Sequence, residues 1–135
     1  MTLDASMLRG FVILVVDDDG DSLAMSRTVV ESLGGSVLTA SSTDEALAIL
    51  DSGAHVDLVF SDVVMPRRNG LALARLARER KPGMPVVLAT GYVDAVDAVT
   101  ESGAISLIKP YSVPRLAAVF AEQLHVAPGT SSRSP

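Results

Sequence analysis

Residues 11–19 read FVILVVDDD: six apolar residues without interruption, then three aspartates. A strand with one wet face alternates apolar and polar side chains, so a run that is apolar at every position reads as a strand covered on both sides. VDLVF at 56–60 and VVLA at 86–89 repeat the pattern closely, and SVLTA at 36–40 and ISLI at 105–108 are two further runs of strand length. The predicted strands are Phe11–Val16, Ser36–Ala40, Val56–Ser61, Pro85–Thr90 and Ile105–Ile108. Covered strands of this kind belong to parallel sheets with helices on both faces, which makes the fold class α/β in three layers.

Between the strands lie segments of helical period, predicted over residues 22–33, 43–51, 70–81, 93–102 and 113–125. Gly34-Gly35 offers a left-handed C-cap and Ser42 with Glu45 a capping box. Pro82 stops the third helix, Gly103 follows the fourth, and Pro114 sits in the first turn of the fifth. In that last helix Val113, Leu116, Ala117, Phe120, Ala121 and Leu124 fall on one face. Residues 1–10 and 126–135 lack a sustained apolar period, so the expected organisation is an N-terminal tail, one domain over 11–125, and a C-terminal disordered tail or linker remnant.

The chain has 135 residues, no Cys, and 16 acidic against 11 basic side chains for a net charge of −5. That length accommodates one domain of ordinary size, so any effector module is expected on another chain. An acidic balance with no dense basic tract argues against a nucleic-acid partner, because duplex affinity comes largely from neutralising phosphates. A six-residue apolar run ending in three aspartates is too short for a signal-peptide core or a membrane span, so no membrane partner and a cytoplasmic location are expected.

The residues that follow the strands carry the chemistry. Asp17, Asp18 and Asp19 follow the first, Asp62 the third, Thr90 the fourth and Lys109 the fifth, while the second ends in Ala40-Ser41-Ser42. Ligands of open α/β sheets bind beyond the carboxyl ends of the strands. If the strand order is 2-1-3-4-5, the four residue-bearing strands are adjacent and the silent one is an edge. Gathered carboxylates from Asp17, Asp18 and Asp62 repel one another unless a hard cation lies among them, and Mg²⁺, held by one or two carboxylates with waters at about 2.0–2.1 Å, satisfies this. Lys109 supplies a point charge and Thr90 a hydroxyl, parts suited to a transferring phosphoryl group. Singly, each residue also has an ordinary reading as turn, cap or strand-end chemistry. Their joint arrangement favours function.

VVDDD at 15–19, DLVFSDVVMP at 57–66, NG at 69–70, VVLATG at 86–91 and KPY at 109–111 together resemble the receiver domain of two-component response regulators, over roughly residues 11–125. The resemblance implies a doubly wound, flavodoxin-like sheet of order 2-1-3-4-5, and phosphoryl transfer to an aspartate from a histidine kinase or histidine phosphotransfer protein. It implies Asp62 as phosphoacceptor, Asp18 as a direct Mg²⁺ ligand, Asp17 as a ligand through water, and Val64 as a ligand through its carbonyl. Thr90 resembles the hydroxyl that closes on the phosphoryl group and Lys109 its counter-charge. By this likeness the chain is no general enzyme: it catalyses only its own phosphorylation and dephosphorylation and signals by altered binding to a downstream protein. TGY and KPYSVxxL are most similar to single-domain regulators and to receivers of hybrid sensor kinases.

Two features depart from the family. Ser106 stands where an aromatic residue is usual, and only nineteen positions separate Thr90 from Lys109, which predicts a short or displaced fourth helix. Val64 and Tyr92 occupy the family's positions that tune hydrolysis, and an apolar and a bulky residue there predict a long-lived phosphoaspartate. Tyr92 is read as a ring over the site or a mobile stand-in for the missing aromatic. Arg67 and Arg68 either steer an anionic donor or simply solvate their loop. His55 and His125 are expected away from the site.

Two rival readings stand beside this one. A pseudo-receiver would keep the fold as a binding module without being phosphorylated. A haloacid-dehalogenase-type phosphatase would use Asp17 as nucleophile and Asp19 as acid, leaving Asp62 idle. An EF-hand fails because its sixth and twelfth loop positions are Ser22 and Thr28.

Overall fold

A computed structural model describes residues 5–126. The strands are β1 (Val12–Val16), β2 (Ser36–Ala40), β3 (Leu58–Asp62), β4 (Val86–Thr90) and β5 (Ile105–Ile108). The helices are α1 (Gly20–Ser32), α2 (Thr43–Asp51), α3 (Gly70–Arg80), α4 (Val96–Glu101) and α5 (Val113–Leu124), with a 3₁₀ turn, Val93–Ala95, before α4. The five strands form one parallel sheet of order β2-β1-β3-β4-β5.

The unbroken apolar runs have a direct cause. Ile13 and Val15 of β1 pack with Val30 of α1 and Leu116 and Phe120 of α5, while Leu14 and Val16 pack with Leu47 of α2, Leu73 of α3 and Val99 near the end of α4. Successive side chains leave opposite faces of a strand. With a core on each face, both sets must be apolar.

The caps are as the sequence predicts, with one difference. Gly34 adopts φ 89° and Gly103 φ 87°, Ser42 accepts from the Glu45 amide at 3.1 Å, and Ser112 caps α5. Glu45 does not complete the box on Ser42; its carboxylate accepts from the Ser41 hydroxyl at 3.1 Å. The short fourth helix is also present, a 3₁₀ turn followed by six α-helical residues. β3 begins at Leu58, not Val56, because the Asp57 carboxylate accepts the Val12 amide at 2.7 Å and its own amide bonds Val12 O.

The segment 5–10, part of the expected N-terminal tail, packs against the domain. Met7 and Leu8 are buried, 2% and 0% exposed, among Phe11, Val30 and Leu33. The Leu8 amide donates to Leu33 O at 2.8 Å and the Phe11 amide to Leu8 O at 3.0 Å. A Cβ on Gly34 would lie 2.9 Å from Ser6 Cα, so this glycine also makes room for the segment. Two apolar residues are too few to show a period. At the other end Val126 is buried too, so the packed unit exceeds 11–125 on both sides; residues 1–4 and 127–135, the rest of the two expected tails, lie outside the described residues.

Candidate functional site

The sheet brings the predicted residues to one edge. Lys109 Nζ lies 2.8 Å from Asp62 Oδ2, an ion pair across 47 positions of sequence. Asp62 Oδ1 faces the Val64 amide at 3.4 Å. β4 lies between β3 and β5, with the Val63 amide on Ala89 O and the Lys109 amide on Thr90 O. Thr90 therefore stands at the strand end flanked by both partners of the pair. Its hydroxyl is buried and occupied locally, accepting the Tyr92 amide at 3.0 Å and lying 3.4 Å from Tyr92 O.

The approach of α3 to Asp62 explains the Asn69-Gly70 pair. A Cβ on Gly70 would lie 2.5 Å from Asp62 O and 3.0 Å from Val63 Cα, so only glycine lets the helix start against the end of β3. Asn69 caps that helix through the Ala72 amide at 3.1 Å.

Asp17 is 9% exposed, and burial is the first cause that pushes its carboxyl above the ordinary value. The Asp19 amide pulls it down, Asp62 pushes it up, Lys109 opposes that, and Asp18 adds further repulsion. Burial also pulls the Lys109 ammonium down, but the hydrogen bond to Asp62 and the charges of Asp62 and Asp17 outweigh it, so the net shift is upward and Lys109 stays charged. Asp17 is thus a buried carboxylate beside two others, with Lys109 as the cation acting on it. Asp62 and Asp18 both repel the Asp17 carboxylate, and an all-oxygen set of this kind fits a hard cation such as Mg²⁺. Among the described residues no three His, Cys, Asp or Glu side chains converge enough to enclose an ion by themselves, but Mg²⁺ requires only one or two carboxylates with waters.

Asp19, by contrast, is a structural residue. It is the N-cap of α1, accepting the Asp21 amide at 3.3 Å and the Ser22 hydroxyl at 2.9 Å. The acid that a phosphatase would need is committed to the helix.

The remaining candidates separate. Val64 and Tyr92 are 61% and 67% exposed, so the Tyr92 ring stands in solvent. Ser106 is half-buried on β5 opposite Leu88. Arg68 pairs with Asp44 at 3.5 Å; Arg67, in the left-handed region at φ 65°, takes part in no ion pair among the described residues. His55 pairs with Asp57 at 3.0 Å and His125 caps α5 at φ 58°.

Two features escaped the sequence reading. A cavity of about 560 Å³ lies between α1 and the loop into α5, lined by Asp17, Asp62 and Lys109 together with Met25, Phe60 and Tyr111. Tyr111 stands edge-on to Phe60, ring centroids 6.0 Å apart. The only signal for it was its place two residues after the lysine.

Comparison with known proteins agrees with this fold. A profile of the response regulator receiver domain matches residues 13–121. The chain is 37% identical over 125 residues to the transcriptional regulatory protein GlrR of Escherichia coli (strain K12), covering 90% of this chain and 28% of that protein. It is 35% identical over 125 residues to the sensor kinase CckA of Brucella abortus (strain 2308), covering 89% of this chain and 13% of the kinase. Among solved structures, a receiver domain protein from Clostridium thermocellum superposes with a TM-score of 0.79 at 29% identity, covering 85% of this chain and 94% of that one. The Thermotoga maritima response regulator TrrA, in complex with Mg(2+)-BeF, superposes with a TM-score of 0.78 at 27% identity, covering 84% and 99%.

Proposed function

The chain belongs to the response regulator receiver domain family, and on that premise we propose that it accepts a phosphoryl group on Asp62 from a phosphohistidine donor and signals through a changed protein surface. The observation that carries this is the Lys109–Asp62 pair at 2.8 Å, set beside the buried Asp17 carboxylate. Because the chain spans only 28% of GlrR and 13% of CckA, the donor, a histidine kinase or phosphotransfer protein, the downstream protein and a cytoplasmic setting all belong to the proposal.

The carboxylate of Asp62 has no proton to lose, so catalysis reduces to orientation and charge. The donor's P–N bond breaks with its electron pair leaving on the imidazole nitrogen as a P–O bond to Asp62 forms. Asp17, Asp18, Asp62 and the Val64 carbonyl would hold Mg²⁺, which would supply positive charge for the transferring phosphoryl group. Lys109 passes its ammonium from the Asp62 carboxylate to a phosphoryl oxygen, and the Thr90 hydroxyl leaves Tyr92 to donate to another. The chain so promotes its own phosphorylation and hydrolysis and acts on no other substrate.

The test is intact mass after incubation with acetyl phosphate and Mg²⁺. The expected gain is one phosphoryl group, abolished by EDTA; a folded chain that gains nothing from acetyl phosphate or a phosphohistidine protein would overturn the reading.

Val64 and Tyr92 are joined through their amides to Asp62 and Thr90, and we assign to their apolar and bulky side chains the hindering of an attacking water when the site is phosphorylated. Val64→Asn and Tyr92→Ala are each expected to shorten the phosphoaspartate half-life severalfold, followed as decay of the phosphorylated mass after donor removal. Half-lives equal to that of the unaltered chain would refute the shielding role.

A further inference from the structure

We propose that Tyr111 is a positioning residue for the transfer: seated edge-on to Phe60 in the wall of the α1–α5 cavity, it holds the Lys109 loop against Asp62 and transmits the state of that pair to α1. This rests on the reading of Asp62 as phosphoacceptor.

The argument begins with register. Phe60 and Asp62 are two residues apart on β3 and so leave the same face of the strand. Tyr111 and Lys109 are two residues apart in the loop that follows β5. Lys109 reaches Asp62 at 2.8 Å, and the Tyr111 ring stands edge-on to Phe60, centroids 6.0 Å apart at 73°. The loop therefore meets β3 at two successive same-face positions, one ionic and one aromatic. An edge-to-face pair of this kind contributes beyond its buried area. Phe60 in turn stands edge-on to Phe120 of α5, 5.2 Å away at 75°, which anchors the second contact to a helix.

The other side of Tyr111 faces α1. Its hydroxyl is near enough to the Ser26 side chain for Ser26 to oppose the upward shift of the phenol. Burial is the main cause raising the Tyr111 phenol above its ordinary value, so the neutral, hydrogen-bonding form is the one present. Ser26, Met25 and Tyr111 line the same cavity as Asp62 and Lys109. Its volume of about 560 Å³ leaves the ring space to turn once Lys109 gives up the Asp62 carboxylate for a phosphoryl oxygen. A loop whose ionic contact shifts by the length of a phosphoryl group then moves about its aromatic one, and Ser22, Met25, Ser26 and Val29 of α1 line the cavity it borders.

The experiment compares the full chain with Tyr111→Ala, Tyr111→Phe and Ser26→Ala. Phosphorylation by acetyl phosphate in Mg²⁺ is read by intact mass over a range of donor concentrations, and amide exchange of α1 is read with and without the phosphoryl group. The unaltered chain gaining one phosphoryl group tests the reading of Asp62; the variants test Tyr111. Tyr111→Ala is expected to lower the maximal rate roughly tenfold to a hundredfold with little change in half-saturating donor, the mark of lost orientation. Tyr111→Phe, which keeps the ring, is expected to restore the rate. It and Ser26→Ala are expected to blunt the phosphorylation-dependent change in α1 exchange. Should Tyr111→Ala fail to fold, Tyr111→Phe and Ser26→Ala still decide the matter through α1 exchange. A Tyr111→Ala chain that is phosphorylated at the unaltered rate, or an α1 response intact in both milder variants, would overturn the proposal while leaving Asp62 as acceptor. If the unaltered chain itself takes no phosphoryl group, both fall.

Discussion

Asp62→Asn is expected to remove the phosphoryl gain altogether. The amide oxygen of asparagine is a poor nucleophile, and no other carboxylate is paired with Lys109 among the described residues. The substitution replaces an ion pair whose side chains are 42% and 17% exposed, and partly solvated pairs of this kind are worth roughly 0–1 kcal/mol, so the fold is expected to survive. Loss of the label in a chain of near-normal denaturation midpoint therefore reports chemistry and not unfolding. Asp17→Asn provides the contrast. It leaves Asp62 and Lys109 in place but weakens the site for the cation, so its phosphorylation should need more Mg²⁺ and still occur on Asp62. A label retained by Asp62→Asn and lost by Asp17→Asn would overturn the assignment in favour of an Asp17 nucleophile. The commitment of Asp19 to capping α1 weighs against that outcome.

The second large effect lies far from the site. Leu8→Ala is expected to cost about 2–5 kcal/mol of stability, the range for emptying a fully buried leucine position. Leu8 is 0% exposed, its amide is bonded to Leu33 O, and it packs in the core shared by α1 and α5. Urea denaturation should show a lower midpoint at unchanged slope. Arg9→Ala, on the exposed neighbour, should fall within roughly 0.5 kcal/mol of the unaltered chain. Equal midpoints for the two variants would mean that the segment 5–10 does not contribute to the fold.

Residues 5–10 and Tyr111 mark where a sequence reading stops. The strands were legible because burial on both faces leaves a continuous apolar run in Phe11–Val16, and the helices because Ser42, Gly34, Gly103 and Pro114 act on their own neighbours. Met7 and Leu8 were not legible, since two apolar residues carry no period and their partner Leu33 is 25 positions from Leu8. The same holds for Glu45, whose helix cap is halved by the choice of Ser41 as partner, and for Thr90, whose hydroxyl turns to Tyr92.

The sequence by itself determined the fold class, the helix and strand positions to within three residues, and the set of polar groups waiting at the strand ends. These follow from local propensity, capping and the pleat of a strand, which act over a few residues. The tertiary structure decided which groups meet: Lys109 with Asp62 across 47 positions, Tyr111 with Phe60 across 51, and the N-terminal segment with the α1–α5 core. Such contacts depend on how helices settle on a twisted sheet and where the chain ends find room, and no periodicity along the chain records that.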